Sequence, residues 1–406
     1  MSMRIGSGRL LEKRAARSSR ILVTGAAGFL GSHIAVALAR AGFRVAVLAR
    51  SSKTLSARDR VARLAAWFGL DERTAAAIEV VEGDILDPGW AAAMLEGASK
   101  PAPFDEIVHC ASNTAFAERK RAEVEAANID GLRSVLDYAV RGGCAFFHHV
   151  STAYVAGRRT GLCREDWVEQ GPFTNVYEET KARGEIMARD VCRAEGIRLN
   201  VYRPTIVYGD SRTGRTLRFN ALYFPVKAAV FLRDIYLADI RQGEGRRAAE
   251  LGIRMTEGGA LVMPIRIDAG RGGGINLVPV DHCVEAFMAV FEDGLDGGIY
   301  HIANPRVTTL EELVAFGKRR FRMEGIEACG PESFAGRPKN TLEVLYDSYL
   351  EIYRPYMQDT RMFDMANAAP FLEKRGIVCP AFDYGIFSRC MDYAVEVEWG
   401  GRLFAR

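Results

Sequence analysis

Short apolar runs alternate with stretches of helical periodicity through the first two-thirds of the chain. ILVTG (21–25) reads as a strand, and the apolar positions from about Leu30 to Ala41 recur at helical spacing. RVAVLAR (44–50), EVVEGDI (79–85), EIVHCAS (106–112), FFHHVST (146–152) and LNVYRPTIV (199–207) each read as a further strand. Strands this apolar, separated by helices, predict βαβ units and a parallel sheet covered on both faces. Two regions break the alternation. Residues 213–274 form an apolar-rich insertion expected to be helical, with FNALYFPVKAAVFLRDIYL (219–237) at its centre. After GINLVPVDHCVEAF (274–287) and GIYHIANP (298–305), TTLEEL (308–313) opens a capped helix, and an aromatic-rich tail follows with Tyr349, Tyr353, Tyr356, Phe363 and Phe371.

The expected fold is therefore α/β, a doubly wound parallel sheet with a smaller, mainly helical lobe on the substrate side. Residues 21–212 and 274–305 are expected to build the sheet domain. Residues 213–273 and 306–406 are expected to build the lobe over its carboxyl edge, where open α/β sheets bind ligands. Residues 1–20 read as a basic arm.

Composition narrows the class. Of 406 residues, 49% are hydrophobic and 26% charged, as in soluble globular proteins. A net charge of +3 gives no reason to expect nucleic acid as a partner. The first residues, MSMRIGSGRLLEKRAARSSR, lack the apolar segment of a secretory signal, and an integral membrane segment is not expected. Eight scattered cysteines make no C-x-x-C, so buried reduced thiols, no disulfide, no metal site and a cytoplasmic location are expected.

The chemistry begins at VTGAAGFLG (23–31), which sets Gly25, Gly28 and Gly31 between a strand and a helix. In a Rossmann dinucleotide site the first glycine permits the tight turn, the second lets the pyrophosphate approach, and the third lets helix and strand pack closely. The helix N-terminus favours phosphate. The second strand ends in Ala49-Arg50-Ser51-Ser52-Lys53 with no carboxylate to hold a ribose 2′-hydroxyl. Arg50 and Lys53 can instead meet a 2′-phosphate, so NADP(H) is the expected cofactor. Asp84, in EGDI, reads either as a contact to the adenine or as a loop cap.

NVYEETK (175–181) places Tyr177 and Lys181 on one face of a predicted helix. Alone, this pair reads more readily as a packed tyrosine beside a solvated lysine. It gains meaning from FFHHVSTAYVAG (146–157), where a strand ends in Ser151 and Thr152 about 25 residues earlier. An ammonium about 4 Å from a phenol contributes about 4 kcal/mol at an effective dielectric near 20. That would draw the tyrosine down by roughly 3 pKa units, towards neutrality.

Three motifs in this order resemble the extended short-chain dehydrogenase/reductase family over roughly residues 20–315. The resemblance implies Tyr177 as acid/base, Lys181 as its partner and Thr152 as the hydroxyl that polarises the carbonyl, with Ser151 as the alternative. It implies cofactor contacts from Gly25, Ala27, Gly28, Phe29, Leu30 and Gly31, then from Arg50, Lys53, Asp84 and Ile85. Cys110, Ala111 and Ser112 are expected after the fourth strand, with Asn128, Lys181, Pro204, Thr205 and Val207 completing the set. HVSTAYVAG (149–157), NVYEETKARGE (175–185), YRPTIVYG (202–209) and VHCASNTAF (108–116) are similar to fatty acyl reductases and to the thioester reductase domains of carboxylic acid reductases and nonribosomal peptide synthetases.

That branch implies NADPH-dependent reduction of an acyl thioester, carried by coenzyme A or an acyl carrier protein, to an aldehyde and then optionally an alcohol. The 213–274 insertion reads as a lid and core helix pair, an acyl channel, or the surface of a homodimer. The alternatives are a reductase of ketones or hydroxy groups, or a nucleotide-sugar epimerase or dehydratase, using the same threonine, tyrosine and lysine. A further alternative is an NADP-sensing protein without catalysis.

Overall fold

The computed structural model describes residues 17–87, 89–96, 103–351 and 353–404. Most of the basic arm expected at 1–20 lies outside the described residues. Seven parallel strands form the central sheet: β1 Arg20–Thr24, β2 Arg44–Ala49, β3 Ile78–Glu82, β4 Glu106–His109, β5 Phe146–Val150, β6 Arg198–Pro204 and β7 Gly298–Ile302. Their order across the sheet is 7-6-5-4-1-2-3. The direction of winding reverses between β1 and β4, and that crevice is where such sheets bind ligands.

The strands are apolar because both faces are covered. Ile21 and Val23 pack with Ile34, Val47 and Phe287 on one side. Leu22 between them packs with Leu48, Ile107, Leu132 and Phe147 on the other. This is the two-residue alternation of a strand with both faces buried.

The expected strand 199–207 breaks in two. Beyond Pro204 the chain leaves the sheet, and Ile206–Tyr208 pairs with Leu277–Pro279. Pro204 has no N–H to donate, and its carbonyl is taken by a side chain of the candidate site.

The insertion is helical in its first half only, through Tyr223–Gln242 and Arg246–Glu250. It then supplies Arg254–Met255 and Leu261–Asp268, which join Met323–Cys329 in a three-stranded sheet. Residues 261–268 bury Leu261, Met263, Ile265 and Ile267 and leave the intervening positions partly exposed, a strand pattern. The lobe therefore holds a sheet among its helices. Its core joins these residues to Leu310, Phe321, Leu342, Tyr346 and the Tyr384–Glu396 helix.

The tail is not all lobe. Arg361–Phe363 pairs with Gly161–Cys163, just beyond β5, and Ala368 and Leu372 pack into the core of the sheet body. All eight cysteines are free thiols. Among the described residues no helix is long and apolar enough to cross a membrane.

Candidate active site

The glycine loop leaves β1 at Thr24 and turns through Gly25, whose φ is +71°. A Cβ there would stand 2.5 Å from the Ala111 nitrogen, so the loop lies against the end of β4. A Cβ on Gly31 would stand 2.4 Å from the Gly25 oxygen, which is the close approach of helix to strand. Gly28 caps the Phe29–Arg40 helix without a side chain, and the first turn carries no acidic residue. Its N–H groups and the positive end of the helix are suited to a phosphate. Ala27, Phe29 and Leu30 lie in this same turn.

Arg50 and Asp84 follow β2 and β3 and meet in an ion pair of 3.0 Å. Asp84 also accepts from the Leu86 N–H at 3.1 Å and so caps its loop, and Ile85 packs over Gly131. Lys53 is exposed nearby in the chain. The structure adds Glu82 at the end of β3, bonded to the Ser51 hydroxyl. That carboxylate was invisible to a reading that looked for an acid on β2 alone.

After β4, Cys110 and Ala111 run beside Thr24. The Cys110 N–H donates to the Thr24 carbonyl at 3.2 Å and the Ala111 N–H to its hydroxyl at 3.4 Å. Asn128 sits in a single π-helical turn, Ala126–Asp130. Its carbonyl oxygen accepts from the Asn113 N–H at 2.8 Å and the Ser112 hydroxyl at 3.0 Å. Its amide donates to the Asn113 carbonyl and to Thr180 on the next helix. Asn128 thus ties the loop after β4 to the helix that carries Tyr177.

That helix, Val176–Glu195, begins at Asn175, whose side chain accepts from the Glu178 N–H, and ends at Gly196 with φ +62°. Tyr177 lies in its first turn and Lys181 one turn further. The Tyr177 phenol faces the Thr152 hydroxyl, which acts to lower its pKa. The Thr152 hydroxyl donates to the Pro204 carbonyl at 3.4 Å. Lys181 is buried and donates to the Val150 carbonyl at 2.7 Å. The buried hydroxyl of Ser151 has no partner among the described residues. Thr205 bonds Asn276 at 2.8 Å, and Val207 is partly buried in the strand beyond.

The electrostatics differ from the sequence expectation. Burial raises the Tyr177 phenol above its ordinary value, although the Thr152 hydroxyl opposes this. Burial lowers Lys181 to about 8, with Cys110 and Glu185 opposing. The Coulomb argument treated the lysine as a fixed charge. Desolvation acts on both members of the pair and favours the neutral form of each.

Two residues of the tail, Tyr356 and Arg361, complete the surroundings, and no local signal singled them out. The Tyr356 hydroxyl donates to Glu178 at 2.7 Å and accepts from Asn175 at 2.7 Å, gripping the first turn of the Tyr177 helix. Arg361 donates to the Gly157 carbonyl at 2.5 Å, pairs with Asp359 at 2.8 Å and lies over the Tyr154 ring. Phe116 stands between the two regions, its ring 5.8 Å from Tyr177 and 5.3 Å from Tyr356.

Beyond Tyr356 opens an apolar cavity of about 80 Å³. Its walls come from Ile206, from Leu222, Val226 and Ala229 of the insertion, from Ile267, from Leu313, Val314 and Gly317, and from Tyr346, Tyr353 and Met357. Lys318 is the charged residue on its wall.

Residues 23–287 match the family model described as male sterility protein. The chain is 28% identical over 201 residues to UDP-glucose 4-epimerase of Mus musculus, covering 48% of this chain and 56% of that protein. It is 33% identical over 186 residues to UDP-glucose 4-epimerase 4 of Oryza sativa subsp. japonica, covering 45% and 47%. The chain spans about half the length of the curated relatives it matches. Among solved structures it is similar to the terminal R domain from the myxalamid PKS-NRPS biosynthetic pathway, at 22% identity and a TM-score of 0.70, covering 94% and 91% of the two chains. It is also similar to a thiolation-reductase di-domain from an archaeal nonribosomal peptide synthetase, at 15% identity and a TM-score of 0.69, covering 97% and 80%. UDP-glucuronic acid 4-epimerase from Bacillus cereus, in complex with NAD, gives 17% identity and a TM-score of 0.62, covering 95% and 100%. At these identities the structural likeness shows the fold.

Proposed function

The chain belongs to the male sterility protein family, and from that premise we propose that it reduces an acyl thioester to an aldehyde with NADPH. The observation that carries this reading is the apolar cavity beyond Tyr356, whose ring meets Phe116, which in turn meets Tyr177. Its wall is almost wholly hydrocarbon. An acyl chain gains by burial there, whereas the hydroxyls of a sugar would be left without partners.

The residues of the glycine loop fit a dinucleotide. Gly25 and Gly28 would let its pyrophosphate approach the start of the Phe29–Arg40 helix, which Gly31 packs closely on the loop, and Lys181 would reach its nicotinamide ribose. Arg50 and Lys53 would take the 2′-phosphate of NADP(H), with Arg50 exchanging its bond to Asp84. The cofactor, when bound, supplies a hydride to the thioester carbon. The Thr152 and Tyr177 hydroxyls donate to the carbonyl oxygen as negative charge develops on it. Tyr177 then transfers its proton, and burial holds that phenol in the protonated form a donor requires. The carbon–sulfur bond breaks, and aldehyde and thiol leave. One thioester, one NADPH and one proton become one aldehyde, one thiol and one NADP⁺. The thiol belongs to coenzyme A or to the phosphopantetheine of a carrier protein.

Purified protein supplied with NADPH and a panel of acyl-CoA thioesters is expected to oxidise NADPH and yield a trapped aldehyde. Oxidation with ketones alone would move the protein to ordinary carbonyl reduction. Arg50→Asp is expected to lower kcat/KM for NADPH relative to NADH by at least tenfold; an unchanged ratio would overturn the assignment of Arg50.

Nucleotide-sugar epimerisation is the second reading, favoured by the identity to UDP-glucose 4-epimerases. It requires UDP-sugar conversion with no net consumption of the cofactor, which the same assay detects.

A further inference from the structure

Gly317 lies in the interior of the Leu310–Phe321 helix, a place where glycine is among the least favourable residues. Glycines usually occupy such positions for one of two reasons. One is a positive φ, and Gly317 is not among the residues that have one. The other is close packing against a neighbour, as at Gly31, where an added Cβ would stand 2.4 Å from a backbone oxygen. At Gly317 an added Cβ would meet no atom within 4 Å among the described residues, although the residue is buried. A buried position whose side-chain direction is open must face internal space, and Gly317 lines the apolar cavity.

Its place along that cavity follows from the neighbours. The part of the cavity nearest the chemistry is marked by Ile206, two residues beyond the Pro204 carbonyl that Thr152 bonds, and by Tyr356, in contact with Phe116, which meets Tyr177. The Leu310–Phe321 helix starts beside the Ile206 strand, through Thr308 paired with Ile275 and Asn276 bonded to Ile206, and Gly317 lies about two turns further along it, where it packs against Met323–Cys329 and Tyr384–Glu396. Met323 and Ile326 line the cavity beside it.

We infer that Gly317 sets the length of the acyl chain the protein accepts, by leaving the far wall of the cavity open to a straight aliphatic chain. This inference rests on the thioester reading. The missing side chain extends the cavity at the end remote from the thioester, so a substituent there meets the distal carbons and leaves the reacting carbonyl clear. Excluding a single methylene from such a pocket changes discrimination by about tenfold or more.

The test measures kcat/KM for saturated acyl-CoA thioesters of increasing length with the wild type and Gly317→Leu, and binding of the matching free fatty acids by calorimetry. For Gly317→Leu, the ratio of long-chain to short-chain kcat/KM is expected to fall at least tenfold, and the longest fatty acid bound to become shorter. Gly317→Ala is expected to move both in the same direction by a smaller factor, and it decides the matter if the leucine variant does not fold. An unchanged ratio with unchanged fatty-acid binding overturns the inference while leaving thioester reduction in place. If no thioester is reduced, the thioester reading falls. A length limit on fatty-acid binding that moves with residue 317 would then still support the role of Gly317, and no binding of any length would overturn it.

Discussion

At the scale of single residues, the candidate site is a set of hydroxyls held by backbone. Thr152 bonds the Pro204 carbonyl and faces the Tyr177 phenol, and Lys181 is fixed on the Val150 carbonyl. Ser151, adjacent in sequence, is buried without a partner among the described residues. Thr152→Ala and Tyr177→Phe are therefore expected to lower kcat by about 10²–10⁴, the usual worth of a positioned proton donor. Ser151→Ala is expected to lower it by less than tenfold. Steady-state assays of the three variants check this, and an equal loss at Ser151 would transfer the polarising role. Lys181 predicts a pH dependence. Its ammonium loses its proton at about 8, against 10.5 for an exposed lysine. The protonated form is present below that value, so kcat/KM for the nucleotide, which reports the free protein, is expected to fall as pH rises through about 8. Between these two values the unfolded chain holds the proton that the folded one has released. This lysine's contribution to folding stability therefore rises with pH across that window. A pH–rate profile level through pH 10 would contradict the assignment. Tyr177, Lys181 and Thr152 were legible in the sequence because strand end and helix turn carry them at family spacing. The direction of the tyrosine's shift was not, because burial is a property of the whole fold.

At the scale of elements, the Val176–Glu195 helix is fastened at three levels. Asn175 caps it, Tyr356 bonds Glu178 in the first turn, and Glu185 meets Arg203 of β6 in a bidentate pair of 2.9 and 2.6 Å. Both partners of that pair are about 1% exposed. Arg203→Met leaves the Glu185 carboxylate buried and unpaired, and is expected to cost about 3–5 kcal/mol of stability. The double variant with Glu185→Met is expected to recover much of it, because no lone charge remains. Denaturant unfolding of the two variants checks this, and a single variant as stable as the wild type would contradict it. The central strands were legible as apolar runs because both faces are covered. The sheet strand 261–268 was passed over, although its alternation is regular, because the apolar helix before it suggested one helical insertion. The break at Pro204 was hidden by an apolar run that continues through it.

At the scale of the molecule, Tyr356 and Arg361 of the tail reach the Tyr177 helix and the chain beyond β5, and the apolar cavity opens beyond Tyr356. Sequence put Tyr356 among the tail aromatics, yet neither it nor Arg361 could be singled out there. Their partners, Glu178 and Gly157, lie about two hundred residues earlier, and the tail has no periodicity that points to them. The cavity draws on the insertion, the residues after β7 and the tail together, so it exists only in the assembled fold. The most direct measurement of the central claim follows the hydrogen itself. NADPH carrying deuterium at the reactive C4 position is incubated with an acyl-CoA thioester and an aldehyde trap, and the product is weighed by mass spectrometry. The account predicts one deuterium on the aldehyde carbon, and its loss in Tyr177→Phe. Deuterium retained on the nucleotide with the thioester intact, together with conversion of a UDP-sugar, would contradict it.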